Sequence, residues 1–243
     1  MHFFKPIAAG LAAFSLLSPS VVNAGINDVS SPSVTKGKSS IEARVVVDAD
    51  KDSSKDGRVD TRIQYDHGFT DYYALRISAT QKRAPNDKYR HNNVRVENRF
   101  QLFEAEQDGF DGGFRVLYSA YDGSQQPDEL AVSLLAAKTI ADWALRTNVL
   151  FGNEIGKSSD DGLTAEWRWQ AMYPVADVRV GLEGFHELGR LNEGSGWEDQ
   201  NHQLGLVMKG DFNDDWSYQT GYEHGISRVA PDHSVKFFLT RSF

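Results

Sequence analysis

The chain has 243 residues, no cysteine and a formal net charge of −8 at pH 7. These values exclude a disulfide framework, a thiolate metal site and a basic nucleic-acid surface. The length suits one domain or two small ones, and long helical periodicities are missing.

Residues 1–24, MHFFKPIAAGLAAFSLLSPSVVNA, have the form of a secretory signal peptide. Lys5 gives the positive start, an apolar run follows, and Val22-Asn23-Ala24 is a small-residue cleavage site. The alternative is a retained N-terminal anchor. Cleavage would remove Lys5 and leave the chain more acidic. Residues 25–40, rich in Ser with Gly and Pro32, read as a flexible leader. No later apolar stretch approaches the roughly 18–20 residues that a membrane helix needs.

From Ile41 to the end the pattern has period two, which predicts an all-β domain over 41–243. Twelve strands are expected, at 41–48, 58–66, 72–80, 93–104, 113–121, 129–140, 143–152, 163–173, 177–188, 200–210, 215–225 and 233–243. The sixth, ELAVSLLAAKTI, alternates weakly; read as a short helix, it would leave ten strands. The connections alternate between long charged loops such as DADKDSSKDG, QKRAPNDKYRHN and GRLNEGSGWED, and short turns such as HGFTD, AD, YPVA and DFNDD. A sandwich has no reason to keep that rhythm. An up-and-down antiparallel transmembrane β-barrel does, with long loops outside the cell and short turns in the periplasm.

Several hairpins restart alike: TDYYALRISA, ADWALRTNV, ADVRVGLEG and DDWSYQTGY. An acidic residue stays in the aqueous turn. Tyr73, Trp143 and Trp216 follow it at headgroup level, where an amphipathic ring is stable, and Phe243 ends the chain at the same level. One face of each strand is apolar, for example Val45, Ile63, Ile77, Val116, Trp167, Leu206 and Tyr222, and should meet outer-membrane lipid. The other face is charged, which a dry core would not tolerate.

On that inner face, Arg62, Arg76, Arg95, Arg99 and Arg115 form a basic wall, with Arg146 and Arg168 further round. Glu183, Glu187 and Glu223 should stand opposite. Such a wall suits anionic solutes through bidentate guanidinium contacts, unless the two walls pair and close the lumen. The expectation is a passive channel for small polar or anionic solutes, with no enzyme activity, no cofactor and no metal site. The alternatives are a closed structural or surface-interaction barrel and, less favoured, a lipid-modifying enzyme. The enzyme needs a Ser activated by His, but His233 and Ser234 are adjacent and should point to opposite faces. The Asp-rich loops do not match calcium-loop spacing.

The last strand, HSVKFFLTRSF, puts Val235, Phe237, Leu239 and Phe243 on one parity. It resembles the C-terminal signal of bacterial outer-membrane β-barrel proteins, which the barrel-assembly machinery reads; Arg241 departs from that pattern. The longer ending GYEHGISRVAPDHSVKFFLTRSF looks like those of uncharacterised transporter-like outer-membrane barrels, including the family associated with the phenol-degradation meta-pathway. The strand count and Arg-lined interior also resemble the twelve-stranded oligogalacturonate and sialic acid porins. That resemblance implies a bacterial outer-membrane location and acidic oligosaccharides or small anions as solutes. Lipid, lipopolysaccharide and the assembly machinery would be its partners, and nucleic acid would not.

Overall fold

The computed structural model describes residues 26–122 and 126–243; the signal-peptide reading falls outside them. The strands are β1 (Ser39–Ala49), β2 (Val59–Gly68), β3 (Tyr73–Arg83), β4 (Arg90–Phe103), β5 (Asp111–Tyr121) and β6 (Asp128–Ile140). They continue as β7 (Trp143–Ile155), β8 (Leu163–Val175), β9 (Val178–Arg190), β10 (Asn201–Asp211), β11 (Trp216–Gly225) and β12 (His233–Ser242). Each strand pairs antiparallel with its neighbours in the chain. β1 closes the ring on β12, from Ser40 opposite Ser242 to Ala49 opposite His233. Closure leaves no strand edge unpaired, which is what a sheet in lipid requires.

The weakly alternating sixth segment is a full strand. β6 pairs with β5 from Asp111–Ala137 to Ser119–Glu129, and with β7 from Asp128–Ile155 to Ile140–Trp143. Twelve strands, not ten, therefore form the barrel. Its sequence looks ambiguous because both faces are apolar there. Leu130, Val132 and Leu134 are exposed on the outside, while Ala131 and Leu135 are buried on the inside.

Short turns lie at one end of the barrel and long loops at the other. The two-residue turns before β7 and β9 begin with Ala141 and Ala176 in the left-handed region, φ 50° and 51°, a hairpin-turn conformation. The one α-helix among the described residues, α1 (Ala105–Asp108), occupies the largest short-end turn. At the long-loop end, the first and last loops clasp across the β1–β12 seam. Lys51 N–H donates to Asp232 Oδ2 at 3.3 Å, and Asp232 N–H donates to Asp50 Oδ2 at 3.0 Å. The Lys51 backbone donor holds the Asp232 carboxyl below its ordinary range. In the same loop, the Asp52 carboxylate accepts from Ser54 N–H at 2.9 Å, so these acids serve turn geometry.

The expected flexible leader requires a correction. From Ile26 it lies inside the barrel: Ile26 and Val29 are fully buried, and Asn27 and Ser30 nearly so. The segment enters at the short-turn end and reaches mid-lumen. Gly37, at φ 77°, makes the reversal that carries the chain from this segment into β1. Gly68 anchors the base: Gly37 N–H donates to Gly68 O at 2.7 Å, and Gly68 N–H to Lys38 O at 3.0 Å. A Cβ on Gly68 would lie 2.1 Å from Thr35 O, so no other residue allows that approach. Ser and Pro gave the segment the look of a linker because its partners are remote in sequence.

Candidate functional site

The site is the lumen, built by the inward residues of every strand. On the β2–β5 side, Arg76 Nε meets Asp66 Oδ2 at 2.9 Å and Arg76 Nη1 lies 3.7 Å from Glu97. Arg99 Nη2 reaches Asp66 at 3.0 Å, and Arg115 Nη1 reaches Glu97 at 3.2 Å. Arg95 donates to Ser119 Oγ at 2.9 Å, with Glu129 4.0 Å away. Arg62 is only 8% exposed, yet among the described residues it hydrogen-bonds to Thr80 Oγ1 at 3.1 Å and no carboxylate pairs with it. Arg146, half-buried on β7, likewise has no ion-pair partner among the described residues. Arg168 is held by Glu166 of its own strand at 2.5 Å.

The opposite side is closed on itself. Lys236 of β12 sits 2.5 Å from Glu183 and 2.7 Å from Glu223, and all three are 0–1% exposed. Gly205 lies in register with both glutamates, and Gly221 with Lys236, which leaves room for the triad. Phe185 and Phe238 flank the ammonium, with ring centroids 4.8 and 5.6 Å away. Glu187 lies apart from this group, opposite Glu166 in the β8–β9 register. Among the described residues, no ion pair runs from the basic side to Glu183, Glu187 or Glu223. The ion pairs of each wall stay within that wall, and Arg62 and Arg146 take part in none of them among the described residues.

The leader occupies the space between them. Arg44 Nη1 donates to Ile26 O at 3.0 Å and to Asp28 Oδ1 at 3.1 Å. Arg115 donates to Ser30 Oγ at 2.9 Å, Arg99 to Ser31 O at 3.4 Å and Arg168 to Asp28 O at 3.4 Å. Asn148 makes a two-way pair with the Ser30 backbone, at 2.8 and 3.0 Å. The Ile26 side chain packs in one cluster with Val46 and Phe238. Around Asn27 and Asp28, the lumen retains about 10 Å³, the space of one water. A vestibule of about 240 Å³ remains at the short-turn end, lined by Lys38, Asp66, Arg76 and Arg99 among others.

Tyr73, Trp143 and Trp216 head β3, β7 and β11 directly after short turns, and Phe243 follows β12 at the same end with 63% exposure. Arg241 lies in register with Trp216, and its guanidinium stands 5.7 Å from that ring. The stacking accounts for a charge in the final strand. His233 and Ser234 point apart: Ser234 Oγ donates to Asp48 at 2.7 Å inside, while His233 Nδ1 pairs with the Tyr222 hydroxyl at 2.7 Å outside.

Sequence reading missed a histidine pair at the long-loop end. His186 and His202 are register partners on β9 and β10, with their Nδ1 atoms 3.3 Å apart. Trp169 Nε1 donates to His186 Nε2 at 3.1 Å, and Trp197 stacks on His202 at 3.6 Å. His202 Nε2 lies 3.1 Å from Gln200 Oε1. This chain of donors and acceptors suits two neutral imidazoles. A concavity of about 770 Å³ lies outside the lumen. It is an apolar dent on the outer wall, lined by residues such as Val180, Leu182, Leu206 and Tyr222.

A closed antiparallel barrel, apolar outside and charged inside, is the architecture of outer-membrane β-barrels. Similar solved structures carry the same fold. The COG4313 outer membrane channel from Pseudomonas putida F1 superposes with a TM-score of 0.62 at 12% identity, over 90% of this chain and 100% of that one. The KdgM porin gives 0.56 at 13% identity, over 84% and 99%. The NanC porin gives 0.53 at 12%, over 84% and 98%. No protein-family model matches the sequence, and no curated protein is a significant match to it.

Proposed function

We propose that the protein is a porin-like channel of the bacterial outer membrane, passing small polar or anionic solutes without catalysis. The observation that carries this reading is the lumen itself: a closed barrel surrounds buried arginines, and among the described residues Arg62 and Arg146 have no paired acid. A barrel with a purely structural interior gains nothing from a guanidinium left without a counter-charge. The likeness to the COG4313 channel and to the KdgM and NanC porins supports the reading at the level of fold. Acidic oligosaccharides fit the same chemistry, since their carboxylates match arginine forks. Lipid and lipopolysaccharide would cover the apolar outside, and the assembly machinery would read the final strand.

The test is conductance of the refolded mature protein in a planar bilayer under a salt gradient. The expected result is a conducting state whose reversal potential favours anions. Replacing Arg95 and Arg99 by Glu should move that potential toward cations; an unmoved potential would sink the anion wall.

A second reading has its own observation. The leader and the in-wall ion pairs fill mid-lumen, as a closed structural barrel would require. Silence from folded protein, with and without the leader, would favour it. A lipid-modifying Ser–His pair is not supported at His233 and Ser234, whose side chains face opposite ways.

A further inference from the structure

We infer that Asp28 is a tethered occupant of an anion site, and that a carboxylate-bearing solute opens the lumen by competing with it. The inference rests on the channel reading and names its regulation. Arg62, Arg76, Arg95, Arg115 and Arg168 all border the small cavity beside Asp28; only Asp28 and Glu97 bring negative charge to it. The Asp28 carboxylate receives Arg44 at 3.1 Å and the Ser30 hydroxyl at 3.4 Å. Among the described residues, Arg62 stays without a carboxylate, and the Nε of Arg115 has no hydrogen-bond partner although the residue is 3% exposed. One carboxylate thus sits among more guanidinium groups than it satisfies. A buried guanidinium without a counter-ion is costly, so the cluster gains from a second or stronger anion.

The leader's hold is exchangeable by nature. Outside the Ile26 cluster and buried Val29, much of that hold is hydrogen bonds from Arg44, Arg99, Arg115, Arg168 and Asn148 to carbonyls, a hydroxyl and one carboxylate, beside which Ser30 N–H donates to Asn148 and Val34 N–H to Gln101. A carboxylate solute offers the same donors a better acceptor than a peptide carbonyl, because charge-assisted hydrogen bonds are the stronger kind. Gly37 places the reversal at the mouth of the barrel, where the segment could swing out without disturbing β1. Binding of solute and docking of the leader then exclude each other. The fraction of open barrels follows solute concentration in the manner of any two-state equilibrium.

The experiment uses the full mature chain in planar bilayers, with succinate, inorganic phosphate and sucrose as probes against a constant chloride background. Wild type should be mostly closed and should open with succinate; sucrose should do nothing. Phosphate acting equally well would show that any oxyanion competes, and so would overturn the carboxylate assignment. Asp28→Asn should raise the open fraction about tenfold without succinate and flatten the succinate response. A wild-type open fraction indifferent to succinate, or an Asp28→Asn variant indistinguishable from wild type, overturns the inference.

Two companions separate this failure from failure of the channel reading. Deleting residues 26–34 should give a steadily conducting barrel, and silence there would count against the channel itself. Because the chain has no cysteine, a Ser30→Cys, Asn148→Cys pair can tie the leader to β7. Oxidation should abolish opening by succinate and reduction should restore it. Normal opening of the cross-linked protein would show that the leader does not gate.

Discussion

The two sides of the lumen solve the same problem in opposite ways. Around β9–β12, Lys236, Glu183 and Glu223 are sealed together, with Phe185 and Phe238 beside the ammonium and Gln170 of β8 donating to Glu183 at 2.9 Å. Around β2–β5, arginines share two acids, Asp66 and Glu97, and spend further donors on a segment that is not part of the wall. Buried charge alone therefore says little about function. A closed triad is a strut. An open set of donors whose partners come from elsewhere is what the proposed solute site requires.

The comparison breaks most severely at Lys236. Lys236→Ala would leave Glu183 and Glu223 facing each other, buried and without a cation. Removing one partner of a buried pair costs on the order of 3–5 kcal/mol. The expected outcome is a lower urea midpoint for unfolding in detergent or vesicles, with the surviving barrels keeping wild-type ion preference. A change in ion preference without loss of stability would mean that this side, too, faces the solute path.

Gly68→Val has an intermediate expected effect, and acts on the leader rather than on either wall. Its Cβ would collide with Thr35 O, and relief demands that the base of the leader move. The cost should be about 1–3 kcal/mol, typical of forced overpacking, and would fall mainly on the docked state of the leader. Faster proteolysis within residues 26–36, with β1–β12 still protected, would be the signature. Uniform protection would show that the leader holds without this anchor.

The barrel was legible because lipid imposes a strict code: one parity apolar, one parity not, and turns of alternating length. The code failed only at β6, where Ala131 and Leu135 face inward and blur the contrast between faces. The interior was half legible. Parity alone assigned Arg62, Arg76, Arg95, Arg99, Arg115 and Glu183 to the lumen side, but ion pairing depends on register between strands. Lys236 meets Glu183 and Glu223 through positions far apart in the sequence, and His186 meets His202 in the same way. The leader was illegible. Ser30 reaches Asn148 across 118 positions, and nothing local in a Ser- and Pro-containing stretch records such a contact.

Arg62 should give the smallest change in stability and the sharpest contrast with Lys236. Both are nearly buried, but among the described residues Lys236 has two carboxylates and Arg62 has none. Arg62→Gln removes a charge that no acid neutralises and keeps an amide donor near Thr80. The desolvation cost of the lost guanidinium offsets the lost hydrogen bond, so unfolding free energy should change by less than about 1 kcal/mol, in either direction. The functional effect should run the other way, with a reversal potential displaced toward cations, measured in barrels lacking residues 26–34 so that the leader cannot mask it. If Arg62→Gln instead destabilised the barrel as much as Lys236→Ala, the guanidinium would be a strut like the triad. The basic side would then lose its claim to be the surface on which solutes are held.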